Sequence, residues 1–517
     1  MRVLVGMLLF VVQLAAPASA TLVIVSIDHP TSVIVDIPGY GWTGSSDGGD
    51  LNSLLNSASA GDTVYVDAGT YPDTTHEIGG FEWSDNQVVI GPSNAVAEIT
   101  ISTSGGYAVS TPGTATGCKV VNLTFRGLVS GARGLKIATS TAGPFTVDGC
   151  TWNNTGLSIY HTGVGTAADI TVTNSRFTAM QDNPALAYIV AQAGAEDWTF
   201  SNNDFDMSTA TIDGGGFSAF QFRGISNLLL TRNTIRFPAS DQSTFFGIWI
   251  SGQSSTNSDA PTITYNTIDA NENAGGSLRG IYFGGTTDPT VGSVDDIFVG
   301  YNTIIMPADQ SPVTSSPAYG VEIGYDASSS QTYSENFEIV GNKVTGGING
   351  ILVAESAVRG TVSRNLLVGC TNGGFVSKDA RYTTFTFNTV IGAERGHYNA
   401  ANGGLSSNNY GNVIAGNLFK DCDAGIYQST ASFAANDSAT IYAGNVFDNC
   451  GTTATQNTTD LDFATWRAYT PAGGIVSAGI GSIDLSEDDV SSDLRAVKGL
   501  PGGGGGGVGA TRGLIRR

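Results

Sequence analysis

Charged residues are scarce in this sequence, and basic residues are scarcer than acidic ones. Lysine and arginine together number 23 of 517 residues against 45 aspartates and glutamates, so the formal net charge is −22. Nucleic-acid binding needs concentrated Lys and Arg side chains to meet the phosphates. The composition therefore excludes nucleic acid as a main partner, and an acidic surface instead favours solubility and the binding of cations.

Histidine and cysteine are also rare, with four His and five Cys residues. The sequence contains no HExxH motif and no CxxC pair, which argues against the common kinds of zinc site. Cys422 and Cys450 each follow a recurring Asn by five residues, in successive repeats. Two interpretations stay open for this pair, a disulfide formed in an oxidising compartment or a stack of buried thiols.

Long apolar runs are lacking beyond the first twenty residues, so no stable membrane insertion is expected. At the start of the chain, Arg2 precedes a mostly apolar stretch over residues 3–15, and Ala18-Ser19-Ala20 fits a signal-peptidase site. We therefore predict a signal peptide over residues 1–20 and a secreted protein, extracellular or at the cell surface. The sequence leaves the oligomeric state open.

Glycine is abundant, at 69 residues, and short β-branched or aromatic runs alternate with Gly, Ser, Thr and Asn, as is typical of turn-rich β proteins. One pattern recurs: a strand-like run, an Asn, any residue, then a large apolar residue. It places nine asparagines in one register, Asn203, Asn233, Asn266, Asn302, Asn342, Asn365, Asn388, Asn417 and Asn445. Leu123, Cys150 and Ser175 occupy the same position in earlier repeats, which makes twelve repeats in total.

The spacing between successive members of this series varies from 23 to 40 residues, although the motif itself stays constant. Constant strands joined by turns of variable length explain this variation. A second strand begins at a Gly in most repeats, as in residues 247–250 and 280–283, and the first and third residues after this Gly should point inward. The pattern predicts an all-β, three-faced solenoid of about twelve coils.

We assign the recurring Asn a structural role. Asn tolerates the left-handed backbone conformation that a sharp turn between strands requires. Its side-chain amide offers a donor and an acceptor, so each Asn can hydrogen-bond to the Asn of the next coil.

The N-terminal region carries a resemblance to a known family. Residues 50–55 begin with an N-cap residue and have apolar residues at helical spacing, and residues 61–71 read GDTVYVDAGTY, an alternating strand followed by a Gly turn. This combination resembles the start of right-handed, single-stranded parallel β-helix proteins of the pectate-lyase-like superfamily. The resemblance implies a helix that caps the first coil, and a sugar-binding groove on the strand entered after the longest turn.

On this basis the chain divides into four parts. They are a signal peptide over residues 1–20, N-terminal strands and a Gly/Ser loop over 21–48, the β-helix with its N-terminal cap over 49–450, and a C-terminal capping segment with a Gly-rich tail over 451–517.

The longest repeats, with steps of 33, 36 and 40 residues, cover residues 233–342, and long loops on a rigid rod are where binding usually resides. Trp249 and Tyr282 each lie two residues after the Gly of a groove strand, in successive coils. Rings about 4.8 Å apart would form an apolar platform of the kind that stacks on sugars. The alternative is that turns cover them. Arg279 is a third candidate for substrate binding, because it could neutralise a sugar carboxylate.

Candidate catalytic residues depend on the reaction. A lyase of this fold needs a base, usually Lys or Arg, beside a uronate carboxylate. Ser377-Lys378-Asp379 and Arg395-Gly396-His397 resemble elements of the alginate lyase and chondroitinase B family, which makes Lys378 the candidate base, although the spacing places the two segments six positions out of register. A hydrolase needs two carboxylates, for which Glu322 and Glu355 are the candidate pair.

Asp295 and Asp296 follow a groove strand and carry the hard oxygen ligands that Ca²⁺ prefers; the alternative is a solvated acidic loop. Together these patterns predict a secreted protein that binds an extracellular polysaccharide in a groove along the central coils. Cleavage, by a lyase or a glycoside hydrolase mechanism, is left open. The alternative function is a non-catalytic structural or adhesive rod, such as a surface protein or a virion spike.

Overall fold

The computed structural model describes most of the chain between residues 22 and 484. The described residues are 22–25, 40–42, 60–66, 68–72, 85–102, 107–110, 116–129, 132–137, 143–155, 157–161, 167–178, 187–191, 194–208, 216–239, 244–252, 256–273, 276–284, 292–308, 318–324, 334–354, 357–378, 380–400, 411–428, 440–456, 459–461 and 483–484. Every regular element in these ranges is a β-strand, and none of them contains a helix that could cross a membrane.

Sheet A runs the length of the stack and has sixteen parallel strands. In spatial order they are Tyr40–Trp42, Leu22–Val25, Thr63–Val66, Val88–Ile90, Cys118–Val121, Phe145–Asp148, Ile170–Thr173, Thr199–Ser201, Leu229–Thr231, Thr262–Thr264, Phe298–Gly300, Glu338–Val340, Thr361–Ser363, Thr384–Thr386, Val413–Ala415 and Ile441–Ala443. Apart from the first two strands, spatial order follows chain order, as expected when each strand belongs to one coil.

Sheet B has fifteen strands, also parallel. They are Gly69–Pro72, Ala97–Ile101, Thr124–Gly127, Thr151–Asn153, Arg176–Thr178, Asp204–Asp206, Thr234–Arg236, Thr267–Asp269, Thr303–Ile305, Lys343–Thr345, Leu366–Val368, Thr389–Ile391, Leu418–Lys420, Val446–Asp448 and Ile483–Asp484. Most are only three or four residues long, and their middle residues point into the core.

Sheet C has fourteen strands. They are Tyr107–Ser110, Arg133–Ile137, Leu157–His161, Ala187–Ala191, Gly216–Arg223, Thr244–Ser251, Ser277–Phe283, Ala318–Ile323, Asn349–Val353, Gly373–Lys378, Arg395–Ala400, Ala424–Gln428, Thr452–Gln456 and Thr459–Leu461. Only its last pair is antiparallel, among the strands that the structure describes. Its longest strands, of seven and eight residues, lie in the central coils.

Sheet D is a short fourth sheet of seven two-residue strands. They are Ala167–Ala168, Ala195–Glu196, Ile225–Ser226, Ser258–Asp259, Val294–Asp295, Ser334–Glu335 and Ala357–Val358. The prediction of an all-β solenoid of parallel sheets is confirmed, and sheet D adds a face that the sequence did not predict. The capping helix predicted over residues 50–55 lies outside the described residues.

The core is a column of side chains stacked along the axis. The large apolar residue of each repeat is the middle residue of a sheet B strand, and Ile235, Ile268 and Ile304 are fully buried in successive coils. Nearer the N-terminus, the ring of Phe177 stacks on Trp152 at 4.7 Å and on Phe205 at 4.3 Å, with almost parallel planes. Identical positions in neighbouring coils therefore bury one another, as a solenoid requires.

The recurring asparagines lie buried at the corner between sheets A and B. The Nδ2 of Asn302 donates to Asn342 Oδ1 at 2.9 Å and to the Ile263 carbonyl oxygen at 2.9 Å. Its Oδ1 accepts from the backbone N–H of Asn266 at 2.9 Å and from Asn266 Nδ2 at 3.0 Å. The same Nδ2-to-Oδ1 contact joins each of the nine asparagines to the next. We call this row the Asn ladder.

The expectation that the ladder residue itself adopts the left-handed conformation is wrong. The residue before each ladder Asn has the positive φ instead; these residues are Asn202, Arg232, Tyr265, Tyr301, Gly341, Arg364, Phe387, Gly416 and Gly444. The chain reverses direction at that first corner residue, whose side chain faces outward. The second corner residue then points inward, where an amide can bond to the coils on both sides.

A stack of glycines runs through the sheet C strands, and the close approach of backbones explains it. A Cβ built on Gly280 would lie 2.5 Å from the carbonyl oxygen of Gly320. A Cβ on Gly320 would meet the Gly350 oxygen at the same distance, and one on Gly350 would meet that of Gly374. No side chain fits in this row, so the Gly that marks each repeat is required by packing.

Candidate functional site

The outward face of sheet C carries two rows of side chains in the central coils. Because the strands kink at the stacked glycines, the residue before each Gly and the second residue after it both point away from the core. The first row contains Phe246, Arg279 and Tyr319, and the second contains Trp249, Tyr282 and Glu322. The residues between them, such as Ile248 and Ile281, are fully buried in the core.

Arg279 occupies the centre of these rows. Its Nε lies 2.5 Å from Glu322 Oε2, which forms an ion pair. Its Cζ lies 5.4 Å, 5.1 Å and 5.7 Å from the ring centroids of Phe246, Tyr282 and Tyr319, respectively. Burial lowers the pKa of Arg279, but attraction to the Glu322 carboxylate outweighs it and raises the pKa above its ordinary value. Three rings and one carboxylate thus hold this guanidinium, charged, in one orientation.

Trp249 lies in the same strand as Phe246 and extends the cluster along that strand. Its ring stacks on Phe246 at 5.0 Å, and its Nε1 donates to the Gly284 carbonyl oxygen at 3.3 Å. Arg223 Cζ lies 5.3 Å from the centroid of the Trp249 ring. Trp249 is partly exposed, so part of a fixed aromatic ring is accessible to a ligand.

The structure brings together all three predicted binding residues, Trp249, Tyr282 and Arg279. However, Tyr282 is only 4% exposed, because Arg279 and the neighbouring rings cover it. The expectation of two exposed rings in successive coils is therefore wrong for Tyr282. The partly exposed rings are Trp249 and Tyr319, two coils apart.

Sequence reasoning missed Phe246, Tyr319 and Arg223. The signal that could have found the first two is the residue directly before each recurring Gly, which reads Phe, Arg and Tyr in successive coils. Only the second residue after Gly was considered as outward, because a regular strand alternates strictly. The glycine kink breaks that alternation and brings the preceding residue onto the same face.

The candidate catalytic residues do not assemble around one point in the described part of the chain. Glu322 is 3% exposed and ion-paired with Arg279, and Glu355 lies outside the described residues. Lys378 ends a sheet C strand and pairs in register with Ala400, whereas Arg395 pairs with Gly373, five residues before Lys378. Lys378 and Arg395 are therefore five positions out of register in paired strands, rather than the six positions predicted.

The two predicted metal residues, Asp295 and Asp296, lie in different surroundings. Asp295 is in sheet D, accepts from Ser293 Oγ at 2.5 Å and from the Glu335 backbone N–H at 3.3 Å, and burial raises the pKa of its carboxyl. Asp296 is an exposed corner residue with a φ of 53°. Within the described ranges, no group of three or more His, Cys, Asp or Glu side chains could hold a metal ion, so the Ca²⁺ prediction gains no support.

A second aromatic cluster follows farther along sheet C. Arg395 Cζ lies 4.7 Å and 4.3 Å from the ring centroids of Tyr398 and Tyr427. Its Nη2 forms an ion pair with Glu394 Oε1 at 2.7 Å. Burial raises the pKa of the Tyr398 hydroxyl, although the nearby Arg395 opposes the shift. The pattern of an arginine stacked between rings thus occurs twice on this face.

An apolar strip connects the two clusters. It consists of Leu352, Ala354, Val376 and Ala400, with Tyr319 and Tyr398 packed against its two ends. This strip is separate from the main core and lies on the outward side of sheet C. Over the eight strands from Gly216–Arg223 to Ala424–Gln428, the face is about 34 Å long at the usual strand spacing.

One family model matches part of the chain. The family model described as periplasmic copper-binding protein (NosD) matches residues 278–479. Among curated proteins, none matches the chain by sequence.

Solved structures similar to the chain have low sequence identity. The A-module of a mannuronan C-5 epimerase from Azotobacter vinelandii is 12% identical with a TM-score of 0.42, over 84% of this chain and 96% of that one. The catalytic unit of an alpha-1,3-glucanase from Streptomyces thermodiastaticus is 14% identical with a TM-score of 0.44, over 72% and 65%. The surface adhesin PfbA of Streptococcus pneumoniae is 14% identical with a TM-score of 0.38, over 58% and 81%.

The strand pairing itself decides the fold. Successive coils contribute neighbouring parallel strands to the same three long sheets, and right-handed crossovers are nearly universal in parallel sheets. The described part of the chain is therefore a right-handed parallel β-helix.

Proposed function

We propose that this protein binds an extracellular polysaccharide along the outward face of sheet C, between the strands Gly216–Arg223 and Ala424–Gln428. The observation that carries this proposal is the cluster around Arg279, where one guanidinium contacts the rings of Phe246, Tyr282 and Tyr319. Trp249 adds a partly exposed ring at its edge.

The chemistry of this face suits a sugar chain. Sugar rings have apolar C–H faces, which stack on aromatic rings, and polar edges, which need hydrogen-bond partners. Here partly exposed rings alternate with guanidinium groups along one direction. A face of about 34 Å on rigid strands could hold several sugar units at once, with little ordering of the protein on binding.

The location proposed for this activity is outside the cell or at its surface. This part of the proposal rests on the signal peptide predicted over residues 1–20, with Ala18-Ser19-Ala20 at its end. A polysaccharide is a partner that a secreted protein meets there.

The binding face can be tested with two substitutions and a matched control. Trp249→Ala and Tyr319→Ala should each weaken binding to a polysaccharide about tenfold or more, since stacking on a ring is worth roughly 1–3 kcal/mol. Tyr265→Ala removes an exposed ring from the corner between sheets A and B and should leave affinity unchanged. Affinity would be measured on a panel of neutral and acidic polysaccharides; equal affinities for all four proteins would place binding elsewhere.

A separate question is whether the protein also cleaves the polysaccharide, for which Glu322 is a candidate catalytic residue. Its carboxylate is held by Arg279 at 2.5 Å, which favours a structural part for Glu322 and supports the alternative of a non-catalytic or adhesive rod. Turnover would be followed by the absorbance of unsaturated products and by new reducing ends. Release of either product by the wild type and its loss in Glu322→Gln would establish an enzyme. Binding without turnover would favour the non-catalytic structural or adhesive rod.

A further inference from the structure

Three polar side chains near Trp249 have buried atoms without a hydrogen-bond partner. They are Gln221 Nε2, Arg223 Nε and Ser251 Oγ, within the part of the chain that the structure describes. Gln221 is 3% exposed and Ser251 is 0% exposed, so bulk water does not satisfy them. Buried polar groups normally have partners, and an unpaired one is costly.

These atoms lie on one patch of the outward face of sheet C. The flanking residues Phe222 and Ile250 point into the core, so their neighbours point outward. Arg223 pairs in register with Ser251, and Gln221 pairs with Trp249 in the same two strands. The three polar side chains therefore border the partly exposed indole ring.

Among the residues that the structure describes, no acidic side chain forms an ion pair with Arg223. Arg279 has Glu322 as an acidic partner, whereas burial lowers the pKa of Arg223 and no described acidic group opposes that shift. The guanidinium of Arg223 instead lies over the Trp249 ring, with Cζ at 5.3 Å from its centroid. A cation held against an aromatic ring without a counter-ion is ready to accept an anion.

The chemistry of the unpaired atoms points to the kind of group that would occupy the patch. An arginine guanidinium and a glutamine amide nitrogen only donate, and a serine hydroxyl also donates readily. A planar guanidinium matches two oxygens of a carboxylate or a similar oxyanion. A ligand with an oxyanion can meet all three donors, whereas a neutral hydroxyl can meet only some of them.

We propose that Gln221, Arg223 and Ser251 form an oxyanion subsite, which holds an acidic substituent of a glycan while its sugar ring stacks on Trp249. This inference rests on the proposed polysaccharide-binding function and narrows its ligand to acidic glycans. The oxyanion is a carboxylate or a sulfate, and the experiment distinguishes the two.

The test uses the full-length protein and three forms of one oligosaccharide: a uronic acid oligomer, its carboxyl-reduced neutral form, and the neutral form bearing sulfate. We expect the wild type to bind one acidic form at least tenfold more tightly than the neutral form. Arg223→Gln should remove this preference, so that the acidic and neutral forms bind with the same affinity, and Ser251→Ala should reduce the preference severalfold. Arg236→Gln, the same change on sheet B of a neighbouring coil, should preserve it.

A second measurement separates failure of the subsite from failure of the binding face. Free glucuronate or glucose sulfate, whichever carries the oxyanion of the preferred oligosaccharide, should raise the Tm of the wild type and not that of Arg223→Gln, because a ligand stabilises the state that binds it. Glucose should raise neither Tm. Equal affinity for charged and neutral oligosaccharides, or a preference that survives Arg223→Gln, would overturn the subsite and leave polysaccharide binding intact. Stabilisation by either acidic sugar without any oligosaccharide binding would overturn the binding face only, and the absence of both effects would overturn both.

Discussion

Each asparagine in the middle of the Asn ladder uses its whole side chain for hydrogen bonding. The side chain of Asn302 donates two hydrogen bonds, to Ile263 and Asn342, and accepts two, from the backbone and the side chain of Asn266. An Asn side chain offers two donor hydrogens and one oxygen with two lone pairs, so none of this capacity is left over. Another polar residue of similar size cannot reproduce this arrangement.

We predict that Asn302→Ala lowers the free energy of unfolding by roughly 3–5 kcal/mol, since it leaves several buried polar groups unpaired at once. Urea denaturation would measure the change. Asn271→Ala, the same substitution at an exposed turn position, should cost less than about 0.5 kcal/mol. Similar losses for the two variants would show that the ladder bonds contribute little.

His397 provides a pH-dependent contribution to stability. It is fully buried, its Nε2 lies 2.9 Å from Ser377 Oγ, and its ring stacks on Phe375 at 4.8 Å. Burial lowers the pKa of His397 from 6.5 to about 3. The unfolded chain therefore takes up a proton below pH 6.5 that the folded chain refuses until about pH 3. In this window acid destabilises the fold by up to about 1.4 kcal/mol per pH unit.

We expect His397→Phe to remove this contribution, because an aromatic ring fills the same stack without titrating. Unfolding free energies of wild type and variant would be measured from pH 7 to pH 4. The difference between them should shift in favour of the variant as the pH falls below 6.5. Parallel pH profiles for the two proteins would contradict the assignment of this proton uptake to His397.

The strands of sheet C illustrate how an element depends on one backbone contact. Gly320 lies between Tyr319 and Glu322 in one strand, and a Cβ built on it would lie 2.5 Å from both the Gly350 carbonyl oxygen and Val344 Cγ1. By contrast, Gly392 has a positive φ of 64° but open space around it. The two positions thus need glycine for different reasons, close packing in one and backbone conformation in the other.

Gly320→Ala should lower the free energy of unfolding by about 3 kcal/mol or more, since the new methyl group collides with backbone. Gly392→Ala should cost only about 1–2 kcal/mol, from conformational strain alone. Thermal or urea unfolding would measure both. The order of the two losses would be reversed if the glycine stack could open to admit a side chain.

The corners between sheets A and B show how bulky residues tolerate a strained backbone. Tyr265 and Tyr301 have φ angles of 57° and 59°, which are uncommon for such residues. Their rings stack at 5.3 Å with planes 12° apart, and both remain about half exposed. Stacking of the two rings along the axis offsets part of this backbone strain. The sequence alone does not reveal the contact, because it joins residues from two different coils.

At the scale of the whole molecule, the fold could be predicted from the sequence because it repeats in one direction. A large apolar residue recurs in each of the twelve repeats, an Asn in nine of them and a Gly in most, so many weak signals reinforce one another. Sheet D could not be predicted, because its two-residue strands are too short to show periodicity. The Arg279 cluster was only partly predictable. Arg279 contacts Tyr319, which lies 40 positions away in the sequence, and both residues face outward only because the strand alternation is interrupted at the recurring Gly.

The acidic composition gives a prediction for the whole chain. With a net charge of −22, self-repulsion opposes the compact state, and salt screens it. Exposed ion pairs between coils, such as Arg236 with Asp204, are also screened, but each contributes little. We expect the urea midpoint of unfolding to rise between 0.05 and about 0.5 M sodium chloride, a range over which the screening length shortens severalfold. A fall would mean that the ion pairs outweigh the repulsion.

The Asn ladder also makes the rod electrically asymmetric. Each amide from Asn203 to Asn417 donates to the Asn of the following coil, and none in this series points the other way. Backbone dipoles of neighbouring strand residues largely cancel, whereas these side-chain dipoles add and polarise one another. The row therefore carries partial positive charge at its C-terminal end and partial negative charge at its N-terminal end, the reverse of an α-helix.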